Sequence, residues 1–184
     1  MSGAAYLEGD GVVLRTIEED DLPFLRDAIN DPRVRRYLPS RPPLNLDGER
    51  EFYEEVIVGD DDSLNLLICA VDDDGERRVG TIGVHGLGLV DGSCEIGLFL
   101  APDAWGEGLG TEASRLVTEW AFNERGRHRV IARVTEGTAG SRAIWEKLGF
   151  RHEATFREAV FHDGDYVDQH LYAVLEDEWR SRGS

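Results

Sequence analysis

Lysine is almost missing from this chain: of its 20 basic residues only Lys147 is lysine, and the others are arginine. Basic residues are themselves scarce against 37 acidic ones, for a formal net charge of −17. A surface of that sign repels nucleic-acid phosphates and anionic bilayers, so neither nucleic acid nor membrane is expected as a partner. Cysteine is equally sparse. Cys69 and Cys94 each sit in an apolar, strand-like segment, form no C-x-x-C pair and do not cluster with the five histidines. That pattern excludes a disulfide scaffold and predicts buried free thiols in a cytoplasmic protein with no metal centre. There is no apolar run long enough to cross a bilayer. The opening "MSGAAYLEGDG" has no basic region followed by an apolar stretch, so no signal peptide is expected.

What is present is an alternation of strand and helix patterns over 184 residues, a length that suits one domain, 1–184, with its core over about 11–180. "GVVLRT" reads as a strand. The following helix carries Leu22, Leu25, Ala28 and Ile29 on one face and stops at Asp31–Pro32. "RVRRYLPSRPPLNLDG", with three prolines and four arginines, reads as an irregular connection, and "DGEREFYEEVIVG" as a second helix. Residues 64–100 read as three strands turning at Asp74–Gly75 and Asp91–Gly92. Ala113, Leu116, Val117, Trp120 and Ala121 then recur at helical spacing, with Trp120 and Trp179 read as packing residues. "HRVIARV" is a strand, "GSRAIWEKLGF" a helix closed by Gly149, and the rest two strands around Asp163–Gly164. The order β-α-α-β-β-β-α-β-α-β-β predicts a single α/β domain with a mixed, mostly antiparallel sheet. The excess of acid with near-absent lysine is similar to the composition of halophilic proteins, in which salt screens self-repulsion.

The stretch "APDAWGEGLGTEAS" places Gly106, Gly108 and Gly110 at alternate positions before a helix. A dinucleotide fingerprint needs a third glycine where Thr111 stands, and a strand directly before the loop; a P-loop needs a Gly-Lys pair. Neither fits. The unpaired N–H groups opening a helix still favour an anion, and Gly108 and Gly110 would clear Cβ atoms from its path. A purely structural turn is the other reading.

Taken with "CEIGLFL" before it and "SRAIWEKLGF" after it, this stretch resembles the GNAT acetyltransferase superfamily, whose acyl-CoA signature is Arg/Gln-x-x-Gly-x-Gly/Ala. Here Trp105-x-x-Gly108-x-Gly110 stands in that frame, a form typical of the branch that acetylates N-terminal amines of ribosomal proteins. "LRTIEEDDLPFL" and the C-terminal segment resemble the same branch. The resemblance implies a GNAT-like fold with splayed central strands, and acetyl transfer from acetyl-CoA to an amine acceptor without a metal. It implies that the pantetheine arm lies along Leu98, Phe99 and Leu100. The pyrophosphate would sit on the N–H groups of Trp105, Gly106, Glu107, Gly108, Leu109 and Gly110, with Thr111 near the helix start. A homodimer through the last strands or first helices is implied by the resemblance alone.

The chemistry needs an amine freed of its proton, a stabilised oxyanion and a thiolate that receives a hydrogen bond or a proton. Strand alternation turns Glu95, Gly97 and Phe99 away from Ile96, Leu98 and Leu100, so Glu95 is the candidate base, acting through water. Its alternatives are binding the amine or pairing with an arginine. Ser141 is the candidate partner of the thiolate, with helix capping as its other role. Where the family has Asn-x-x-Ser, this chain has Thr138 in place of asparagine, and Trp145 stands where many members carry a tyrosine acid. An N–H near Phe99 would take the oxyanion. His85 and Tyr166, the latter sharing a strand face with Asp168 and His170, are candidate acceptor contacts; the alternatives are a solvent-exposed histidine and a polar sheet face. The arginines of "RVRRYLPSRPP" are read either as acceptor contacts or as a solvated segment. Three functions are carried forward: a protein N-terminal α-amine acetyltransferase, a small-molecule amine acetyltransferase, and a non-catalytic acetyl-CoA-binding module.

Overall fold

The hairpin signals at Asp74–Gly75 and Asp163–Gly164 are realised in the computed structural model, which describes residues 3–38 and 42–182. Eight strands form: β1 (Ala5–Gly9), β2 (Val12–Thr16), β3 (Ser63–Asp72), β4 (Gly75–His85), β5 (Ser93–Leu100), β6 (Arg129–Thr135), β7 (Arg151–His162) and β8 (Asp165–Leu175). They make one sheet of order β1-β2-β3-β4-β5-β6-β8-β7. Neighbours run antiparallel except β5 and β6, which are parallel. The helices are α1 (Leu22–Asn30), α2 (Pro32–Arg35), α3 (Leu46–Phe52), α4 (Leu109–Asn123), α5 (Ala139–Leu148) and α6 (Glu176–Arg182). A π-helical turn, Tyr53–Val58, continues α3. The expected single-domain α/β fold with a mixed, mostly antiparallel sheet is therefore the fold observed.

Three elements escape the sequence pattern, each for a physical reason. β1 is an exposed edge strand with no buried residue, so it shows no apolar alternation. α6 likewise has no fully buried residue, only Trp179 laid against Phe122. α2 forms because the Asp31 carboxylate accepts the Arg33 N–H at 2.8 Å while Pro32 supplies the first helical position. The Asp-Pro pair that ends one helix thus starts another.

The sheet is covered on both faces. On one, α4 and α5 bury Ala113, Val117, Trp120 and Trp145 against Leu66, Ile68, Ile82, Val84 and Ile96. On the other, α1 brings Leu22 and Leu25 onto Ile17, Leu67 and Cys69, with Phe99 packed beside them. Burial on both faces explains the unbroken apolar run "LLICA" in β3. Each fully buried Leu, Ile or Val contributes about 1.5–3 kcal/mol. The two cysteines lie in different clusters, both as free thiols, and burial pushes Cys69 up to about 11 and Cys94 up to about 12. The approach to α1 is tied down by Asp21, fully buried, which accepts from Arg78 Nε at 2.6 Å and from the Glu18 N–H at 3.0 Å.

One irregularity organises the rest. β5 and β6 pair only at Ser93–Arg129, Cys94–Val130 and Glu95–Ile131. Beyond that point β5 stays with β4 as far as Leu100, and β6 stays with β8 as far as Thr135. The two parallel strands therefore splay, opening a wedge in the middle of the sheet.

Candidate active site in the sheet wedge

The orientation of the peptide groups along the wedge follows from one bond. The Ala101 N–H donates to the Val79 carbonyl at 2.7 Å, so bonding groups alternate from there along β5. Those of Phe99 and Gly97 face β4. A Cβ added at Gly80 would meet the Phe99 oxygen at 2.1 Å, which fixes the same orientation. The peptide groups of Leu98 and Leu100 face the wedge instead. The backbone N–H expected near Phe99 is thus offered by its neighbours, and Phe99 contributes its side chain to the α1 face.

At the end of β5 a turn, Pro102–Ala104, leads into the glycine loop. Trp105 is extended, and its indole N–H donates to the Leu100 carbonyl at 2.9 Å. Gly106 and Gly108 have φ of +82° and +84°, a left-handed conformation that strains any L side chain. Nothing lies within 4 Å of a Cβ built on either, so both border open space. Gly110 does something else. A Cβ there would come 3.0 Å from Ile144 Cδ1 and 3.3 Å from the Cδ1 atoms of Leu98 and Leu100. Its missing side chain lets α4 sit close on β5, whereas Gly108 keeps the helix mouth clear. Leu109 is buried as the first helical residue, the Thr111 N–H donates to the Gly108 carbonyl at 3.0 Å, and Glu107 is ion-paired with Arg77. Glu112, an acid in the first turn of α4, accepts from Arg115 at 2.6 Å and from the Asp10 N–H at 3.1 Å. Its charge is matched there, leaving the positive end of the helix open to another anion.

On the opposite face of β5, Glu95 stands at the apex of the wedge, opposite the last paired residue, Ile131. Arg133, two residues further on, reaches back so that its Nη1 lies 3.1 Å from Glu95 Oε2. His85 is the cross-strand partner of Glu95 and is exposed. Its ring leans over Gly83, where an added Cβ would meet His85 Nε2 and Asn65 Oδ1, each at 2.8 Å. Gly83 is paired with Gly97, and nothing lies within 4 Å of a Cβ at Gly97. The backbone beside Glu95 is therefore bare at Gly97, while at Gly83 the His85 ring and the Asn65 amide cover it. The sequence reading passed over Gly83 and Asn65, although glycine inside a strand pattern is a signal of close backbone approach.

Ser141 and Trp145 lie on the α5 side. Ser141 is the third residue of α5, not its cap, and its Oγ accepts from the Trp145 indole N–H at 3.3 Å. The hydroxyl proton is left to donate elsewhere. Trp145 is 1% exposed and packs on Phe150, so it reaches the site only through Ser141. Thr138 occupies the N-cap position, but its hydroxyl bonds the Thr135 carbonyl and does not cap the helix. Tyr166 is not brought together with Glu95. Register carries the Glu95 face through Ile131 to Ala173, and alternation puts Tyr166, Asp168 and His170 on the other face. Tyr166 is 67% exposed at the hairpin tip, against Phe161.

The described start of the segment read as an irregular connection, residues 33–38, reaches across the wedge. Arg33 faces Asp103 at 3.8 Å, and Arg36 pairs with Asp163 at 2.6 Å. Tyr37 sits between them, edge-on to Trp105 (centroids 6.4 Å apart) and stacked on His162 (6.0 Å). The segment after α1 is therefore fastened to both lips of the opening; Arg35 is exposed and Arg41 lies outside the described residues. Among the described residues, no three His, Cys, Asp or Glu side chains gather as a metal site, and no helix is long and apolar enough to cross a membrane.

The arrangement joins an anion-receptive helix mouth, a strand edge whose peptide groups turn to the opening, a carboxylate and a hydroxyl donor. Comparison with known proteins identifies the family. The profile described as "Acetyltransferase (GNAT) domain" matches residues 12–151. The chain is 30% identical to the Bacillus subtilis protein named "Putative ribosomal N-acetyltransferase YdaF", over 91% of this chain and 93% of that one. It is 22% identical to the spermidine N(1)-acetyltransferase of Vibrio cholerae, over 93% and 96% of the two chains. Among solved structures, the Vibrio cholerae spermidine N-acetyltransferase in complex with CoA and spermine superposes with a TM-score of 0.84 at 20% identity, covering 94% of this chain and 99% of that one. A GNAT-family acetyltransferase from Bacillus anthracis gives 0.80 at 24% identity, with the same coverage.

Proposed function

The chain belongs to the GNAT acetyltransferase family and is an N-acetyltransferase, and from that premise we propose that it moves the acetyl group of acetyl-CoA directly to a protein N-terminal α-amine. The observation that carries the reading is the wedge itself. β5 parts from β6 at Glu95, and the peptide groups of Leu98 and Leu100 face the opening beside the mouth of α4. The amide-bearing pantetheine arm bonds to that edge as a missing strand would, and the pyrophosphate takes the N–H groups of the Gly106–Leu109 loop.

In this reading Glu95 accepts the ammonium proton through water. The neutral amine attacks the thioester carbonyl, and the oxyanion is met by a β5 N–H facing the wedge. Collapse breaks the C–S bond, and the second proton of the attacking nitrogen passes to the departing sulfur, which leaves as the thiol under a hydrogen bond from the Ser141 hydroxyl, whose oxygen is already held by Trp145. An α-amine suits this apparatus. Its ordinary pKa is near 8 against about 10.4 for an alkyl amine, so less proton removal is asked of the site. The 30% identity to a relative named as a ribosomal acetyltransferase supports the same acceptor class. The free thiols and the acid excess fit work in the cytoplasm at high salt.

A second reading rests on the spermidine acetyltransferases among the relatives and on the net charge of −17, which steers cationic polyamines inward. The experiment that separates them is thiol release from acetyl-CoA in high salt, with peptides bearing free N-termini, polyamines and amino sugars as acceptors. Turnover with peptides, lost when their N-termini are blocked, supports the first reading. Turnover confined to polyamines or amino sugars overturns it. Tight acetyl-CoA binding without turnover on any acceptor leaves a binding module.

A further inference from the structure

Away from the wedge, on the α5 face of the β7–β8 hairpin, three side chains converge. His152 Nε2 and His170 Nδ1 are 3.3 Å apart, and Thr155 Oγ1 is 3.1 Å from the first and 3.2 Å from the second. The meeting is a product of register. β7 is irregular between His152 and Ala154, so that His152 opposes Tyr172 while Thr155 opposes His170. One extra residue inverts the alternation and puts Thr155, three positions on, on the same face as His152. The imidazoles are held edge to face, centroids 5.2 Å apart, and the His152 ring packs on the buried Tyr172 at 5.4 Å.

Protons alone serve this triangle poorly. A ring nitrogen offers one proton or one lone pair, along a single in-plane direction. Each corner here has two neighbours about 60° apart, so linear hydrogen bonds cannot close all three edges. A cation seated over the centre would lie within ligand reach of all three atoms. A triangle of these edges is one face of a tetrahedron with ligand distances of about 2.0 Å, the zinc–imidazole distance. His170 Nε2 is buried and has no hydrogen-bond partner among the described residues, so no donor there commits the ring to the tautomer that would protonate Nδ1. His152 is exposed, which leaves the outer coordination positions to water, and the strongly acidic chain enriches cations around itself.

We propose that His152, Thr155 and His170 form a chelating site for a borderline-soft first-row divalent cation, with copper, nickel and zinc favoured over magnesium and calcium, separate from acetyl transfer. Two imidazoles and a hydroxyl suit those ions and not hard, oxygen-seeking ones. Bound there, the ion ties the edge strand β7 to β8.

The test is zinc and copper titration of the untagged, metal-stripped protein, followed by calorimetry, thermal unfolding and copper EPR. One equivalent should bind, raise the unfolding temperature and show two nitrogen donors. His152→Asn and His170→Asn should each weaken binding at least tenfold, with Thr155→Val weakening it less. His85→Asn, at an exposed histidine elsewhere, is the control and should bind normally. Affinity should fall as pH drops through the imidazole range, because the ligands must be unprotonated. Wild-type binding no tighter than that of the His152→Asn, His170→Asn double variant, with both proteins folded by circular dichroism, overturns the site. So does a response to magnesium equal to that to zinc.

Discussion

Arg133 is ion-paired with Glu95 across the apex of the wedge, Nη1 to Oε2 at 3.1 Å, at the last residue where β5 and β6 are paired. The candidate base is thus already matched with a cation, and an incoming ammonium must share or displace that guanidinium. Arg133→Gln should lower the acceptor KM by a few-fold while leaving the acetyl-CoA KM unchanged, the scale of a half-exposed ion pair. Glu95→Gln should lower kcat by 10²-fold or more, on the order of a lost general base. A Glu95→Gln enzyme with normal kcat and a raised acceptor KM would make Glu95 a binder of the amine instead.

Arg36 and Asp163 fasten the segment after α1 to the β7–β8 hairpin tip. Arg36→Asp alone and Asp163→Arg alone should each raise the acceptor KM two- to fivefold, roughly the worth of an exposed pair. The double charge reversal should recover most of the loss. Tyr37→Ala, which removes the ring between Trp105 and His162, should cost more than either single change. Equal, additive losses without recovery would show that the two residues act independently.

The loop glycines should fail in different ways. Gly108→Val puts a β-branched residue at φ +84° in the helix mouth, so acetyl-CoA affinity should fall at least tenfold. Gly110→Ala should instead lower stability by about 1–3 kcal/mol through overpacking against Ile144, Leu98 and Leu100. Calorimetric titration with CoA and thermal unfolding of both variants check the division.

Glu112 is held below the usual carboxylate range, chiefly by the hydrogen bond from Arg115 and also by the Asp10 N–H. Since the folded state is the more acidic, its contribution is complete above the unfolded glutamate's pKa, near 4.3, and vanishes as pH falls through the folded value. Glu112→Gln should therefore cost about 1–2 kcal/mol at pH 7 and progressively less below pH 4, as read by urea unfolding across pH.

Cys69 and Cys94, pushed up to about 11 and about 12 by burial, should not react with thiol reagents at pH 8 in the native protein. Both should react once the chain is unfolded. Reaction of either in the native state would mean that its cluster opens.

Much of the fold is legible because its core strands and α4 carry unambiguous periods, and because Asp-Gly pairs mark the hairpins. β1 and α6 are illegible because each lays a single partly buried apolar residue, Leu7 or Trp179, on the core and so carries no apolar period. At the site, Glu95 and Gly108 are local candidates reached by strand alternation and the glycine frame, and Ser141 one reached by the family resemblance. Arg133, Tyr37 and Asp163 are not local. They meet their partners only through the parallel β5–β6 register and the reach of the hairpin, which no spacing encodes. Tyr166 shows the converse limit, since counting along one strand cannot reveal which face its neighbours place toward Glu95.

The wedge also has a mechanical meaning. Strands β1–β5 and β6–β8 are joined within the sheet by three residue pairs, so the molecule is two plates hinged on a short seam and braced by helices. On the proposed function, a cosubstrate whose amides bond to Leu98 and Leu100 would act as a removable strand across that seam. Amide hydrogens at those two residues should exchange quickly in the free enzyme and slowly in the loaded one.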